Sequence, residues 1–266
     1  LKMPRVVCLA TFFAMIPALL LGGCGQQTEC EKCIDTAMGT VISQTVYVTG
    51  NSPAATDGKT DEKVTDVVLQ KLNDLEQQEL SWRLDSAEVA KINAAAGKGQ
   101  IQVSTAMAGW LERCLQISEQ TGGAFDVSIG KLSRLWDIDT WAAADDPQDY
   151  ELPGREEIEQ ALASAGWQQI LEQRTDSMAV SIPAGMQIDL GAVGKGVALD
   201  EIRKTLEEHP KVSGAVISVG GSILTYGNKP EGGAWQIAVT DPQDPSQSVG
   251  VLTLDGGDCV STSGDY

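Results

Sequence analysis

QIDLGAVGKGVALD, residues 187–200, runs from an apolar segment through a glycine-rich stretch holding Asp189 and Lys195 into a helical pattern. Upstream, Val180, Ile182, Ile188 and Leu190 flank the turn residues Pro183 to Gly185, which predicts a hairpin or two short strands between Met178 and Leu190. Downstream, Val197, Leu199, Ile202 and Leu206 recur at helical spacing as far as Glu208. Gly191 to Gly196 therefore reads as a turn at a helix N-terminus, where unpaired backbone N–H groups and the positive end of the helix dipole favour an anion. Glycines let the backbone approach a ligand closely, and Lys195 adds a point charge. The pattern is not a Walker A loop, because Asp189 stands at its first glycine and Gly196 where Ser or Thr would bind magnesium. Taken alone, a structural strand-to-helix turn with Lys195 in solvent is the plainer reading.

Charge and the N-terminus narrow the setting. Lys2 and Arg5 precede a mostly apolar run from Val6 to Leu21, which reads as a secretory signal over residues 1–23. Leu21-Gly22-Gly23-Cys24 matches a bacterial lipobox, so Cys24 is the expected site of cleavage and acylation, with a plain secretory signal as the alternative. Leu1 is an odd first residue, read either as an unusual start codon or as a sign that initiation is at Met3. Removing residues 1–23 takes two bases and no acids, leaving 17 bases against 37 acids, a net charge of −20. Such a surface repels nucleic acid and anionic headgroups, so membrane association is expected through the lipid on Cys24 and not through a basic patch.

The rest of the chain alternates helical and strand patterns without an internal repeat, which predicts an α+β fold of mixed sheets with interleaved helices. Residues 24–36 read as a tether, followed by a strand at Val41–Val48 and a polar loop, Thr49–Glu62. Helices are expected from Val64 to before Leu80, from Ser86 to Asn93 with Asp85 or Ser86 as cap, from Thr105 to Gln120, and from Arg155 to Ala165. Trp136 to Pro153 reads as an acidic loop, and short strands are expected after residue 208. Cys30 and Cys33 form a C-x-x-C before a strand, which suits a local disulfide or no role better than redox catalysis. Cys114, at helical spacing with Trp110, Leu111 and Leu115, reads as core, and His209, the only histidine, as a helix C-terminal residue and not a catalytic one.

The segment at 187–200 and six further ordered blocks carry a resemblance: TAMGT at 36–40, LSWRLDSAEVAKIN at 80–93, TGGAFDVSIGKLSRLW at 121–136, VISVGGSILTYG at 216–227, AWQIAVTDP at 234–242, and VSTSGDY at 260–266. Together they resemble the FAD:protein FMN transferases of the ApbE family. The resemblance implies a ligand cleft between two subdomains and a flavin transferase domain over residues 37–266. It also implies transfer of FMN from FAD to a Ser or Thr hydroxyl of a target flavoprotein, with Mg2+ and release of AMP. An acceptor domain of a membrane redox protein and a place in the bacterial cell envelope, facing the periplasm or outside, complete that expectation. The same site would serve a magnesium-dependent FAD pyrophosphatase, which leaves FMN in solution, or a lipoprotein that binds FAD without turnover.

Residue by residue, Asp189 and Lys195 match FAD-contacting positions, and Ala192 matches a position whose backbone carbonyl ligates magnesium. Met38 and Trp82 match positions lining the flavin and adenine ends of the ligand, although either side chain could equally be core. Ala124, Phe125 and Asp126 match a ligand-contacting loop, where Gly122 and Gly123 would let the backbone come close; without the resemblance Asp126 reads as a turn residue. Gly220-Gly221 reads either as a tight strand connection near the ligand or as a plain hairpin turn, with no contact assigned, and Ser261 to Ser263 as close to the site but without an assigned role. Family members continue past VSTSGDY into a histidine-containing segment and an acid-rich stretch that supplies magnesium ligands, whereas this sequence stops at Tyr266. On that reading the chain is a fragment or a truncation with an incomplete metal site.

Overall fold

The computed structural model describes residues 28–50, 62–143, 150–172, 178–244 and 246–263. The signal at 1–23 and Cys24 lie outside them. Five antiparallel strands form the main sheet in the order β1 (Thr28–Ala37), β2 (Thr40–Thr49), β5 (Val212–Val219), β6 (Ser222–Gly227) and β9 (Cys259–Ser261). Alternation puts Ile42, Gln44 and Val46 of β2 and Ala215, Ile217 and Val219 of β5 inside. Helices α1 (Val64–Asp74) and α8 (Gly191–Glu207) cover that sheet, α8 burying Val197, Leu199, Ile202 and Leu206 at about 1.5–3 kcal/mol per side chain. The charged exception on α8 is Glu201, which faces Lys71 of α1 at 3.0 Å and Lys204 at 2.6 Å; two ammonium groups hold its carboxyl below the usual range against the opposing effect of burial.

The remaining elements pack around this frame. They are α2 (Glu88–Ala94), β3 (Ile101–Gln102), α3 (Thr105–Gln120), α4 (Gly130–Trp136), α5 (Ile138–Ala143), α6 (Arg155–Leu162), α7 (Trp167–Glu172) and β4 (Ala179–Val180). A second hairpin, β7 (Trp235–Thr240) with β8 (Ser248–Leu254), stands beside β6 and β9. The α+β fold is as expected. Among the described residues no helix is long and apolar enough to cross a membrane.

Several expectations are corrected. Residues 28–36, expected as tether, belong to β1, which pairs with β2 over its whole length through the two-residue turn Met38-Gly39. Its charges misled the reading, but an edge strand carries charge readily. Cys30 and Cys33 lie three residues apart on that strand, on opposite faces and roughly 10 Å apart along it, so the local disulfide cannot close, and both thiols are free. Of the two alternatives for 178–190 the hairpin does not form; the short strand β4 pairs with β3, and Gln187 makes an isolated bridge to Ile129. Asn93 serves Ile188 in place of a strand, accepting from its N–H at 2.7 Å and donating to its carbonyl at 3.0 Å. Part of the acidic loop is helical as α5, and the first helix continues past Asp74 as a π-helical turn, Leu75–Leu80. Ser86 does not cap α2; its hydroxyl donates to the Gln77 carbonyl at 2.6 Å. Cys114 is core as read, and burial pushes its thiol up to about 11.

Glu79 sits on the π turn with Oε2 unpartnered and buried. Desolvation raises its carboxyl above the ordinary range, Lys71 opposes this, and Glu88, Glu201 and Asp74 add to it. An acid whose folded-state pKa is raised contributes stability at low pH that is lost as pH rises through that value. Glu79→Gln is therefore expected to raise the thermal midpoint by a few degrees at pH 7 and by less at pH 4, as read by circular dichroism.

Candidate functional site

The segment at 187–200 is wound more tightly than the sequence suggests. Helix α8 begins at Gly191, so the glycines lie inside its first turns and not in a loop before it. Asp189 starts the helix: its N–H is held by the Val127 carbonyl at 2.8 Å, and its Oδ1 accepts from the Gly191 N–H at 2.7 Å. Gly194 is buried, and a Cβ there would stand 3.9 Å from Met38 Cε and 4.0 Å from Leu80 Cδ1. The β1–β2 turn and the π turn thus both pack onto the helix at this point.

Lys195 points the other way. Its Nζ donates to the Gly220 carbonyl at 2.8 Å, in the Gly220-Gly221 turn that joins β5 to β6. Both glycines have positive φ, 51° and 84°, and a Cβ on Gly220 would fall 2.1 Å from Thr40 Oγ1, so only glycine fits. The Gly220 N–H donates to the Val41 carbonyl at 3.0 Å. Thr262 donates its N–H to the Gly221 carbonyl at 3.1 Å, and Ser261 donates its hydroxyl to Ser222 Oγ at 2.9 Å. Four sequence blocks thus meet at one lysine.

A cleft opens on each side of it. The first, about 580 Å³, lies between β6–β9 and the β7–β8 hairpin and is lined by Lys195, Gly220, Ile223, Ile237, Leu252 and Val260. The second, about 570 Å³, lies between α3 and α8 and is lined by Trp110, Arg113, Ala192, Lys195, Asp200 and Thr262. Both fall within the size range of small-molecule sites, and they share Lys195, Thr262 and Ser263. Trp110, Arg113 and Asp200 were not singled out for this site; the only hint was the helical spacing that set Trp110 and Arg113 three apart on one face.

The other expected residues are spread around this centre. Ala192 lines the second cleft, in the first turn of α8. Met38 packs on the face of α8 marked by Gly194 and lines neither cleft. Trp82 lines neither cleft: the Arg83 and Arg134 guanidinium carbons stand 4.0 and 4.6 Å from its ring centroid, Arg134 donates to its carbonyl at 3.2 Å, and Arg83 pairs with Asp139. Ala124 and Phe125 also lie outside both clefts, Ala124 exposed and Phe125 against the core. The Asp126 carboxylate is occupied by protein. Oδ1 accepts from the Ser128 N–H at 2.8 Å and hydroxyl at 2.6 Å, and Oδ2 accepts from the Trp167 N–H at 3.2 Å. What approaches the neighbouring glycine pair is the Trp167 indole, whose Nε1 is 3.3 Å from where a Gly123 Cβ would be. His209 is remote from the clefts, its Nδ1 2.6 Å from the Thr205 carbonyl.

These features define an α+β fold in which the first turns of α8 and Lys195 meet the Gly220-Gly221 turn between two clefts. Residues 38–266 match the model of the ApbE family, and the chain belongs to that family. It is 30% identical over 278 aligned residues to the FAD:protein FMN transferase of Klebsiella pneumoniae (strain 342), covering 96% of this chain and 73% of that protein. It is also 30% identical over 266 residues to the FAD:protein FMN transferase of Treponema pallidum (strain Nichols), covering 92% and 68%. The ApbE protein of Thermotoga maritima superposes with a TM-score of 0.72 at 26% identity, covering 90% of this chain and 71% of that one. The apo flavinyl transferase of Pseudomonas stutzeri shares the fold, with a TM-score of 0.70 at 24% identity over 92% and 72%.

Asp126→Ala should cost about 2 kcal/mol or more, since it removes three hydrogen bonds to a carboxylate and frees the start of α7. Urea unfolding with and without FAD checks this, and the same loss is expected in both.

Proposed function

We propose that this chain takes FMN from FAD and attaches it to a Ser or Thr hydroxyl of a flavoprotein. The observation that carries the reading is the placement of Lys195 at the N-terminus of α8 between two clefts that share it, in a member of the ApbE family. A dinucleotide has two phosphates between two ring systems. Its pyrophosphate would lie against the positive end of the α8 dipole, with the Lys195 ammonium neutralising charge. The acceptor oxygen then forms a bond to the FMN-side phosphorus, the bond from that phosphorus to the bridging oxygen breaks, AMP leaves with the bridging oxygen, and the hydroxyl proton is released. The Lys195 contact to Gly220 has a role before substrate arrives: it holds the ammonium over the site instead of free in water.

Magnesium is part of this proposal. Beside the Lys195 and Arg113 cations, the second cleft presents oxygen donors: the Ala192 carbonyl, the Asp200 carboxylate and the hydroxyls of Ser222, Ser261, Thr262 and Ser263. That chemistry suits a hard cation that takes one carboxylate and completes its shell with water and substrate phosphate. A carbonyl in the first turn of a helix points along the axis toward the residue four ahead, so Ala192 would offer its second lone pair. Among the described residues no three His, Cys, Asp or Glu side chains converge as a metal site. When bound, the ion would supply neutralisation of the phosphates.

Leu21 to Cys24 supports a lipid anchor and thus an acceptor domain presented by a membrane redox protein in the cell envelope. The net charge of −18 speaks against nucleic acid as a partner. In-gel flavin fluorescence after incubation with FAD, Mg2+ and an acceptor domain tests the reading. Labelling of the acceptor is expected, with at least a tenfold loss for Lys195→Ala and none for Lys98→Ala, a change at an exposed lysine outside both clefts. Free FMN without labelling would identify an FAD pyrophosphatase, and FAD binding without turnover a flavin-holding protein.

A further inference from the structure

Met38 occupies a backbone conformation that favours glycine. Its φ is 53°, and among the described residues only Asp137 shares a positive φ without being glycine. A left-handed residue with an ordinary side chain costs on the order of 1 kcal/mol or more and persists only where its surroundings hold it. Here the holder is identifiable. The Met38 N–H donates to Glu76 Oε2 at 2.9 Å, across 38 residues of sequence. Glu76 belongs to the π-helical turn Leu75–Leu80, and Leu80, four residues on, places its Cδ1 4.0 Å from the Cβ position of Gly194, beside Met38 Cε at 3.9 Å. Glu76 therefore ties the β1–β2 turn to the same spot on α8 that Leu80 packs against. Among the described residues Glu76 has no ion-pair partner, and it lines neither cleft, so the Met38 N–H is the contact that accounts for a partly buried carboxylate at this position.

We propose that Glu76 is a positioning residue for FAD: by accepting the Met38 N–H it keeps the thioether in its left-handed turn against Gly194, at the first turns of the helix where the dinucleotide docks. This rests on the FAD reading of α8 and Met38 given above. Glu76 does not touch the ligand. It acts through Met38, whose soft, polarisable side chain suits the edge or face of a flavin ring. A charge-assisted bond from a carboxylate to a backbone N–H is among the stronger single hydrogen bonds, which suits a contact that must offset a strained turn.

The test compares Glu76→Ala, which removes the acceptor, with Glu76→Gln, which keeps an acceptor oxygen at the same reach, each alone and combined with Met38→Gly. Quenching of flavin fluorescence gives the Kd for FAD. Glu76→Ala is expected to weaken binding about tenfold, Glu76→Gln by no more than about threefold, and Glu76→Ala is expected to add nothing in the Met38→Gly background. Equal binding by wild type and Glu76→Ala would overturn the proposal, as would an undiminished Glu76→Ala effect after Met38→Gly, which would place its action elsewhere. Amide hydrogen exchange of the peptide containing Thr36 to Thr40 keeps the two readings apart. Exchange at Met38 should quicken in Glu76→Ala and hardly change in Glu76→Gln whether or not FAD is present, and an unchanged rate in both variants overturns the positioning role. Failure of the wild-type chain to bind FAD would sink the FAD reading, and with it the role of Glu76 toward that ligand.

Discussion

The constraint on which the site depends is the close approach of three backbone turns around the first two turns of α8. Gly194 lets the β1–β2 turn and the π turn come in on one side, and Gly220 lets the β5–β6 turn come in near Thr40. A Cβ at Gly220 would collide with Thr40, whereas one at Gly194 would meet Met38 and Leu80 at ordinary contact distance. Because α8 is anchored further along by Val197, Leu199, Ile202 and Leu206 in the sheet's core, its N-terminal end is a rigid platform and not a swinging loop. Lys195 then reaches across to the Gly220 carbonyl and closes the arrangement. Fold and site are in this sense the same packing problem.

Charge gives the platform its purpose. The chain as a whole carries a net −18, a surface unfavourable to an anionic ligand. The clefts are locally different: Lys195 serves both, Arg113 joins it in the second, and among the described residues Asp200 is the one acid lining either of them. Asp189, the other acid nearby, spends Oδ1 on the Gly191 N–H and so fixes where the helix begins. That placement makes Asp189 a builder of the anion site even where it does not face the anion, because the direction of the first-turn N–H groups follows from where the helix starts.

The sequence made the strand-to-helix logic of residues 187–200 legible, because hydrophobic spacing after Val197 is a local signal. It misread the glycines, taking them as freedom for a loop when they are absent side chains in a packed helix; packing partners such as Met38 lie about 150 residues away and leave no local trace. β1 was missed because strand character in an edge strand is carried by pairing with β2 and not by apolar content. The short helices α4, α5 and α7 are of six or seven residues, too few for a periodicity to register. For individual side chains the lesson is similar. Asp126 and Trp82 were placed at the ligand by resemblance, yet their present partners are Trp167, 41 residues on, and Arg134, 52 residues on. A motif names the residues that matter without saying which of them touch the ligand and which hold the frame.

The central claim is that the start of α8, flanked by the two glycine turns, receives the pyrophosphate of FAD. A crystal structure of the chain with FAD and magnesium tests this most directly. The pyrophosphate is expected against the first turn of α8 and within hydrogen-bond reach of Lys195 Nζ, with the two ring systems leading away from that point. A dinucleotide bound with its phosphates elsewhere, for instance beside Arg83 and Arg134 at Trp82 with Lys195 still committed only to Gly220, would contradict it.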